Sequence, residues 1–402
     1  MSLNPIVHNT KNIYRILNVV KNVVARKGNL APILKIGFFA KSEIRDDASH
    51  LKDALAWLQK TQTVVDGGSS AMFDLKTGWK KSYPETSGYI VSTYLSFWEM
   101  TSDERFKKLA IELADWEIDI HAPNGGVRSN MESDQTRIFN TGQVMLGWLD
   151  LYERFKDEKY LTHSLKAGDY ALNLQEEDGS WVKDTYGGPR TYQARTDWAL
   201  IKLSRLSGNT KYEAAARKNL NWIASNRNKV GWYDSCGFLA DLPITHVIDY
   251  TLRGLYECAI ELKDAALMKD VELSMDHLLT AIENQSVHNI PYMIPQKFDD
   301  AWKGDLSTSC LTGNAQLAYL YMAMGHHLNK KYYIEAGNKI LETLKSVQIF
   351  DSNDENVHGA VPGCFPFYYG YCQGTFPNWA TKFYADALMM KISNNTHFSV
   401  RA

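Results

Sequence analysis

The chain has 402 residues and a formal net charge of -2 at pH 7, with 45% hydrophobic and 22% charged residues. These values are typical of a globular protein with a large core, and they exclude the broad basic surface that nucleic-acid binding requires. No apolar run reaches the roughly 18 residues of a membrane-spanning helix, and the start lacks the apolar core of a signal peptide, so a cytoplasmic protein is expected.

Residues 1–46 are predicted to form a basic amphipathic extension ahead of the main domain. Residues 1–42 lack Asp and Glu but carry seven basic residues, namely Lys11, Arg15, Lys21, Arg26, Lys27, Lys35 and Lys41. Apolar side chains recur there at helical spacing, at Ile13, Leu17, Val20 and Val24. The favoured interpretation is a helix that packs across the outside of the main domain by this apolar face. Peripheral association with an anionic membrane through residues 1–42 is the alternative.

A repeat of loops rich in Gly, Asp and Asn follows this extension. Six times an apolar helical stretch leads into such a loop and then into a segment rich in Trp and Tyr. The loops recur at intervals of about 50 to 60 residues, at Asp66-Gly67-Gly68, Asn124-Gly125-Gly126, Asp178-Gly179-Ser180-Trp181, Gly231-Trp232, residues 285–289 and His358-Gly359. Because this period accommodates two helices and two connections, each unit is predicted to be a helical hairpin.

Six hairpins bury their apolar faces only by packing on one another, and a closed ring leaves no exposed end. The sequence therefore predicts an all-α protein with an (α/α)6 barrel, or α/α toroid, over residues 47–402. Outer helices are predicted near residues 51–58, 105–116, 160–172, 212–222, 262–279 and 332–344. Closure brings the six loops to one rim, where the functional site is expected at the mouth of a central cavity.

The inner helices are preceded by unusual polar residues. Helix capping explains the threonines of these motifs, Thr86, Thr141, Thr245 and Thr312. Capping does not explain a second set at matching points of different repeats, namely Glu85, Gln143, Arg195, His246, Arg253, Gln316 and Lys382. A buried charge or amide is costly unless it meets a polar group or a ligand, so these side chains predict a polar funnel along the barrel axis. A purely structural network is the alternative for each of them.

Several of these motifs resemble those of a known superfamily. They are Tyr83-Pro84-Glu85-Thr86, Phe139-Asn140-Thr141-Gly142-Gln143, residues 175–181, residues 245–257, Leu311-Thr312-Gly313-Asn314-Ala315-Gln316 and Pro377-Asn378-Trp379-Ala380-Thr381-Lys382. The chain resembles poorly characterised bacterial proteins of the six-hairpin glycosidase-like superfamily, which often accompany polysaccharide biosynthesis. The resemblance covers about 340 residues and implies an oligosaccharide or polysaccharide substrate. Asn140 stands where an Asp is expected, which removes one candidate acid, and Asp249 stands where a small residue is expected.

Glycoside hydrolysis is the first function predicted. It usually requires a carboxylic acid and a carboxylate on either side of the scissile bond. Glu85 is the predicted acid/base, with His246 and either Asp197 or Asp249 assisting. Sugar contacts are predicted for Trp79, Tyr83, Tyr89, Asn140, Gln143, Trp181, Arg195, Trp232, Tyr250, Arg253, Asn314, Gln316, Trp379 and Lys382. Trp79, Tyr83, Trp181, Trp232 and Trp379 are the expected aromatic platforms.

A uronate lyase or C5-epimerase is the second possibility. Such an enzyme removes the proton beside a sugar carboxylate, which requires a base and a cation or amide that stabilises the enolate. His246 with Tyr250, Tyr89 or Tyr83 would supply the base. Arg195, Arg253 and Gln143 would hold the acid group.

Other functions have weaker support in the sequence. Residues 175–181 are similar to the Gln/Trp motif of triterpene cyclases, but no DxDD or DDxxD motif accompanies them. A zinc site built from Cys236, Cys310, Cys364 and His358 lacks the paired motifs of zinc-dependent lanthionine cyclases. No metal or cofactor is therefore predicted. A non-catalytic glycan-binding scaffold remains the non-enzymatic alternative.

Overall fold

The computed structural model describes residues 5–24, 31–238, 243–350 and 354–393. Two helices precede the barrel, α1 (Pro5–Val24) and α2 (Ala31–Phe39). Arg26 and Lys27 of the predicted basic extension lie outside the described residues. Among the described helices, none combines the length and apolar character needed to cross a bilayer.

Within the described residues, twelve further helices form two concentric rings. The outer ring contains α3 (Asp47–Thr63), α5 (Glu104–Asp119), α7 (Glu158–Asn173), α9 (Lys211–Ser225), α11 (Ala265–Asn284) and α13 (Lys331–Lys345). The inner ring contains α4 (Pro84–Thr101), α6 (Ile138–Phe155), α8 (Ala194–Ser207), α10 (Thr245–Leu262), α12 (Leu311–Leu328) and α14 (Asn378–Ser393).

The inner ring is closed. Each inner helix contacts the next one, and α14 contacts α4. The last inner helix, α14, also packs against the first outer helix, α3, so the two ends of the repeat are joined. The predicted (α/α)6 barrel is confirmed, and the order of contacts places α4 opposite α10 across the axis.

Tight turns join each inner helix to the outer helix that follows it. Five inner helices end at a residue with left-handed backbone geometry, at Ser102, Lys156, Gly208, Lys263 and Asn329. Three of the outer helices that follow begin with a capping aspartate, at Asp103, Asp157 and Asp264. The Asp103 carboxylate, for example, accepts a hydrogen bond from the Arg105 amide.

The longer connections lie at the other end of the barrel, where the inner helices begin. The described parts of these connections contain seven short strands: β1 (Met72–Asp74), β2 (Gly78–Trp79), β3 (Val127–Asn130), β4 (Ser133–Arg137), β5 (Ser309–Cys310), β6 (Cys364–Phe365) and β7 (Thr375–Pro377). β1 lies between β2 and β7, and Phe73 pairs with both Trp79 and Phe376. All six predicted Gly- or Asn-rich loops fall at this end, after outer helices.

Glycine allows neighbouring inner helices to approach closely. A Cβ atom on Gly88 of α4 would lie 2.6 Å from the Val144 Cα of α6. A Cβ atom on Gly254 of α10 would lie 2.5 Å from the Ala194 carbonyl carbon of α8. Because backbone atoms cannot move aside without shifting a helix, these glycines set the spacing of the ring.

Helix α1 packs on the barrel by a different face from the one expected. Ile13, Leu17 and Val24 are more than half exposed, whereas Val19 is buried. The guanidinium group of Arg15 lies 4.5 Å from the centre of the Tyr369 ring. Most of the apolar stripe of the sequence therefore faces outward, while Val20 is half-buried, and α1 packs on the barrel through Val19 and the guanidinium group of Arg15. Peripheral membrane association of this segment stays a prediction.

Candidate active site

A cavity of about 560 Å³ opens at the end of the barrel where the inner helices begin. Its lining comes from the connecting segments and from the first turns of α4, α10 and α14. The lining residues are Ala71, Met72, Tyr83, Glu85, Arg137, Thr185, Tyr186, Gly187, Phe238, His246, Tyr371 and Trp379. Of the predicted site residues, Tyr83, Glu85, His246 and Trp379 are thus brought together in one cavity.

Glu85 is the second residue of α4, directly after Pro84, whose fixed φ suits the first position of a helix. One carboxylate oxygen, Oε2, accepts a hydrogen bond from the Tyr83 hydroxyl at 3.2 Å. The other, Oε1, accepts one from the Tyr250 hydroxyl at 3.5 Å. Burial raises the pKa of Glu85 to about 7, although the two tyrosines and the charge of Arg195 oppose this shift. Near neutral pH this carboxyl group can therefore either donate or accept a proton.

His246 is the second residue of α10 and so occupies a position equivalent to that of Glu85. Its Nδ1 lies 2.9 Å from the Gln316 Oε1. Because an amide oxygen can only accept, this contact assigns the proton to Nδ1 and leaves Nε2 as the basic nitrogen. Burial lowers the pKa of His246 to about 4, with a further decrease from the charge of Arg195 and an opposing effect from Gln316. The imidazole is therefore neutral at pH 7.

Aromatic rings surround these two groups. The His246 ring lies 4.4 Å from the Tyr250 ring and 5.6 Å from the Tyr371 ring, measured between centroids. Trp379 extends this wall, with its centroid 6.2 Å from that of Tyr83. Flat rings and hydroxyl groups in one wall suit a sugar, which presents both C–H faces and hydroxyl groups.

Asn140 reaches the cavity through a second tyrosine. Its Oδ1 accepts a hydrogen bond from the hydroxyl of Tyr186, which lies 3.5 Å from the Tyr83 hydroxyl. Asn140 itself also donates to the Arg128 carbonyl at 3.1 Å. This amide therefore orients Tyr186 and holds the β3–β4 hairpin, and it does not line the cavity itself.

Arg137 is a cation on the cavity wall that the sequence analysis missed. It ends β4 and directly precedes α6. One terminal nitrogen donates to the Gln135 Oε1 at 2.7 Å, and the guanidinium group lies 4.9 Å from the Tyr186 ring centre. Its buried Nε has no hydrogen-bond partner within the described part of the chain. An arginine with an unsatisfied donor beside a cavity can bind a carboxylate.

A polar layer lies beneath the cavity on the barrel axis. Arg195 donates from Nε to the Gln143 Oε1 at 2.6 Å, and its guanidinium group lies 5.2 Å from the Tyr250 ring centre. Burial raises the pKa of Asp249 to about 7, while Arg253, Arg195 and Lys382 oppose that shift. The predicted polar funnel thus exists, but these side chains mostly contact one another.

Other members of this layer are paired within their own helices. The Arg253 Nε donates to the Glu257 Oε1 at 2.7 Å, and the Lys382 Nζ lies 2.8 Å from the Asp386 Oδ2. The Lys382 ammonium group lies 5.0 Å from the centre of the Tyr89 ring. Burial lowers the pKa of Lys382 to about 8, and Asp386 opposes the decrease. These contacts support a structural role for Arg253 and Lys382.

Five more of the predicted site residues do not line the cavity. Asp197 is fully buried beside Cys258, and neither of its oxygens has a partner among the described residues. Asn314 binds Ser309, Cys310 and Ile294, so its amide ties two loops together. The remaining three are tryptophans.

The three tryptophans lie in the connections between outer and inner helices, and each contacts an outer helix or another connection. Trp181 is buried and donates to the Ala171 carbonyl of α7 at 2.9 Å. Trp232 packs against Trp302, with ring centroids 5.1 Å apart. Trp79 donates to the Asn356 Oδ1 at 2.9 Å. Each indole therefore ties its loop to the scaffold, and Trp379 is the predicted tryptophan that reaches the cavity.

The described residues include no group of three or more His, Cys, Asp or Glu side chains that could hold a metal ion. The five cysteines are free thiols, and four of them are buried.

Comparison with known proteins connects this fold to carbohydrate enzymes. No protein-family model matches the chain, and a search of curated proteins gave no match. Among solved structures, it is similar to the unsaturated glucuronyl hydrolase of Bacillus sp. GL1, with a TM-score of 0.67 and 14% identity over 87% of this chain and 98% of that one. It is also similar to the cellobiose 2-epimerase of Bacillus thermoamylovorans, with a TM-score of 0.69 and 9% identity over 87% and 98% of the two chains.

A third similar structure is a possible member of the GH105 family from Salmonella enterica, with a TM-score of 0.65 and 12% identity over 88% of this chain and 96% of that one. All three are members of the six-hairpin glycosidase-like superfamily, so the resemblance found in the sequence is confirmed at the level of the fold. At this level of identity the fold alone is shared, and the reaction has to be argued from the site.

Proposed function

We propose that this protein is a carbohydrate-active enzyme that binds a uronic-acid-containing glycan in the cavity between Glu85 and His246. We further propose that it moves the proton on the carbon beside the sugar carboxylate, which is the chemistry of C5-epimerisation or elimination. One observation supports this choice over the others: Glu85 is the only carboxyl group among the described residues that line the cavity, and it shares that cavity with a neutral imidazole and an arginine.

Arg137 is the proposed partner of the sugar carboxylate. Its Nε lacks a hydrogen-bond partner among the residues that the structure describes, and its guanidinium group lies over the ring of Tyr186. When a base removes the C5 proton, the electron pair moves into the carboxylate and produces an enolate with additional negative charge. A cation already oriented toward that group stabilises the enolate more than the ground state, which lowers the barrier.

Glu85 and His246 are the proposed acid/base pair. They begin α4 and α10, which lie opposite each other in the inner ring, so the two groups approach a bound sugar from opposite sides. In an epimerisation, one group removes the proton from one face and the other returns a proton to the opposite face. Glu85 exchanges protons near pH 7, and the unprotonated Nε2 of His246 can accept one.

Elimination would use the same first step. After the C5 proton is removed, the bond from C4 to its oxygen substituent breaks, and its electron pair leaves with the oxygen. The leaving oxygen takes a proton, and a double bond forms between C4 and C5. Tyr83 and Tyr250, which already donate to Glu85, are hydroxyl groups that could supply or relay this proton.

Glycoside hydrolysis is the second candidate. It is favoured by the pKa of Glu85, which burial raises to about 7 so that a protonated acid is present near neutral pH. A two-carboxyl mechanism needs a second group facing the sugar, and neither Asp197 nor Asp249 lines the cavity. For this reason we propose proton transfer beside a carboxylate as the first function, and hydrolysis, which the sequence alone favoured, as the second.

The reaction products distinguish these possibilities. Uronic-acid-containing and neutral polysaccharides would be incubated with the protein in D2O, with the Glu85→Gln variant as control. Deuterium on the sugar indicates epimerisation, ultraviolet absorbance indicates elimination, and new reducing ends without absorbance indicate hydrolysis. Binding of an acidic glycan with none of these changes would support the non-catalytic scaffold and contradict the proposal.

A further inference from the structure

We infer that the glycan is a polymer, and that a second cavity beside α1 binds sugars beyond the reacting one. This cavity has a volume of about 650 Å³ and lies between α1 and the barrel rim. Its lining includes Tyr14, Arg15, Asn18, Asp74, Tyr368 and Gln373. The inference rests on the proposed function, because it assigns the chain length of the substrate for the Glu85 site.

Strand β1 forms a wall of both cavities. Met72 lines the cavity of Glu85, and Asp74 lines the second one. Phe73, between them, is buried, so Met72 and Asp74 lie on the same face of the strand. The rise of a strand places their Cα atoms only about 7 Å apart.

The segment that precedes β7 forms a second shared wall. Tyr371 lines the cavity of Glu85, whereas Tyr368 and Gln373 line the second one. Two separate segments of the chain therefore pass from one cavity to the other. A glycan that leaves the first cavity along β1 would enter the second.

The second cavity has the chemistry of an anionic sugar site. Tyr14 and Tyr368 supply rings, and Asn18 and Gln373 supply amides that can donate and accept hydrogen bonds. Arg15 is oriented by its position over Tyr369, 4.5 Å from the ring centre, and by a hydrogen bond to the Asn12 Oδ1 at 3.3 Å. An oriented guanidinium group recognises a carboxylate.

The one acidic residue of the lining is already neutralised. The Asp74 Oδ1 accepts hydrogen bonds from the Lys76 and Thr77 amides at 2.7 and 3.1 Å, and its Oδ2 lies 3.6 Å from the Lys80 Nζ. Lys76 also lines the cavity, which leaves the lining with a net positive charge. The same uronate residues that would bind Arg137 would therefore be attracted here.

This site also gives the N-terminal segment a role. Helix α1 lies outside the six hairpins, which close into a ring without it. It is the helix that supplies Tyr14, Arg15 and Asn18 to the second cavity. Without α1, the cavity would be an open surface of the rim.

The test is the dependence of binding on glycan length. The probes are alternating glucuronic acid–N-acetylglucosamine oligosaccharides and oligogalacturonates, each from disaccharide to octasaccharide, and titration calorimetry on Glu85→Gln protein prevents turnover. We expect octasaccharides of one series to bind more tightly than disaccharides. The double variant Tyr14→Ala/Tyr368→Ala should weaken octasaccharide binding about tenfold and leave disaccharide binding unchanged.

Two further variants test whether the loss of binding is specific to the second cavity. Tyr332→Ala removes a tyrosine that is 46% exposed at the start of α13, at the opposite end of the barrel, and should change nothing. Lys76→Glu reverses a charge on the β1–β2 turn without altering α1, and it should also weaken octasaccharide binding. Circular dichroism would confirm that each variant is folded.

The results separate this inference from the proposed function. Equal affinity for short and long chains in both series, or no loss in the double variant and in Lys76→Glu, would overturn the second site even if the Glu85 reaction is observed. Length-dependent binding that is lost in these variants would support the site even if the wild-type protein changes no bond in any probe.

Discussion

The hydroxyl of Tyr250 on α10 donates a hydrogen bond to the Glu85 Oε1 on α4, at 3.5 Å, across the axis of the barrel. The two residues are 165 positions apart in the chain. Tyr250 also lies against His246, with ring centroids 4.4 Å apart. The acid and the base of the proposed reaction are therefore connected through one tyrosine, and a change at Tyr250 should affect both.

Replacement of Glu85 by Gln should reduce turnover by at least about 100-fold, because a positioned acid or base contributes roughly 10² to 10⁴ to the rate. Folding should be retained, since an amide of similar shape can accept from one of the hydroxyls of Tyr83 and Tyr250 and donate to the oxygen of the other. The measurement is kcat on a glycan turned over by the wild-type protein. Glu335→Gln, on the outer helix α13, is the matched control. Full turnover by folded Glu85→Gln protein would remove Glu85 from the mechanism.

The pH dependence of kcat/KM should show a titration near pH 7. Burial raises the pKa of Glu85 to about 7, and in the epimerisation its protonated form returns a proton after the Nε2 of His246 has removed one, so activity should fall as pH rises through that value. If Glu85 acts instead as the base of an elimination, activity should rise through the same value. His246 should add a titration only near pH 4, because burial lowers its pKa to about 4.

Tyr250→Phe tests the connection directly. The hydrogen bond from Tyr250 lowers the pKa of Glu85, so its removal should move the midpoint of the pH profile upward. Tyr94→Phe, which removes a buried hydroxyl elsewhere on α4, is the control and should leave the midpoint in place. An unchanged midpoint in Tyr250→Phe would show that another group controls the titration.

The barrel could be predicted because the sequence features that indicate it lie within each repeat. Each outer helix ends before a loop such as Asn124-Gly125-Gly126, and each repeat contains its own caps and turns, so the period can be recognised without knowledge of the tertiary contacts. The orientation of α1 was not predictable in this way. Its stripe of Ile13, Leu17 and Val24 suggested the buried face, but tertiary packing buries Val19 instead.

Residues of the candidate site could be predicted only where their place at the start of an inner helix determines their location. Glu85 and His246 were identified because both are second residues of inner helices. Arg137 and Tyr371 were missed because their positions depend on the paths of long connections, which no short motif encodes. The path of a connection also explains the wrong expectation for Trp181. It was predicted to contact sugar at the rim, but its loop folds back and its indole donates a hydrogen bond to the α7 backbone.

Arg137→Ala should raise KM for an acidic glycan with a smaller effect on neutral sugars. A hydrogen bond to a charged group contributes about 1.5 to 3 kcal/mol, so the increase should be at least about tenfold. Arg128, on the facing strand of the hairpin, forms an ion pair with Asp134 at 3.2 Å and does not line the cavity, so Arg128→Ala is the matched control. Equal KM values for both variants would argue against carboxylate recognition by Arg137.

Gly254→Ala should destabilise the barrel. The added Cβ would lie 2.5 Å from both the Ala194 carbonyl carbon and the Arg195 nitrogen, which are backbone atoms of α8. Overpacking of this kind costs about 1 to 3 kcal/mol, and the shift should also displace Arg195 beneath the cavity. The free energy of unfolding in urea is the measurement, with the exposed Thr280→Ala on α11 as control. Unchanged stability would show that α8 and α10 can separate without cost.

Asp249→Asn should change how stability depends on pH. Burial raises the pKa of Asp249 from its usual 3.8 to about 7 in the folded protein, so the folded state binds its proton more tightly than the unfolded state does. The stabilisation from that proton is complete below about pH 4 and is lost as pH rises through about 7.

An asparagine at position 249 does not titrate, so the difference in unfolding free energy between variant and wild type isolates this group. From about pH 5 to about pH 8, the wild type should lose on the order of 3 kcal/mol relative to the variant, because each unit of pKa shift corresponds to about 1.4 kcal/mol. Urea unfolding at both pH values measures this difference. Asp119→Asn, at the end of the outer helix α5, is the control for loss of an acidic group. A difference that does not change with pH would mean that Asp249 is already ionised in the folded protein, held by Arg253 and Arg195, and the layer beneath the cavity would then contain a full ion pair.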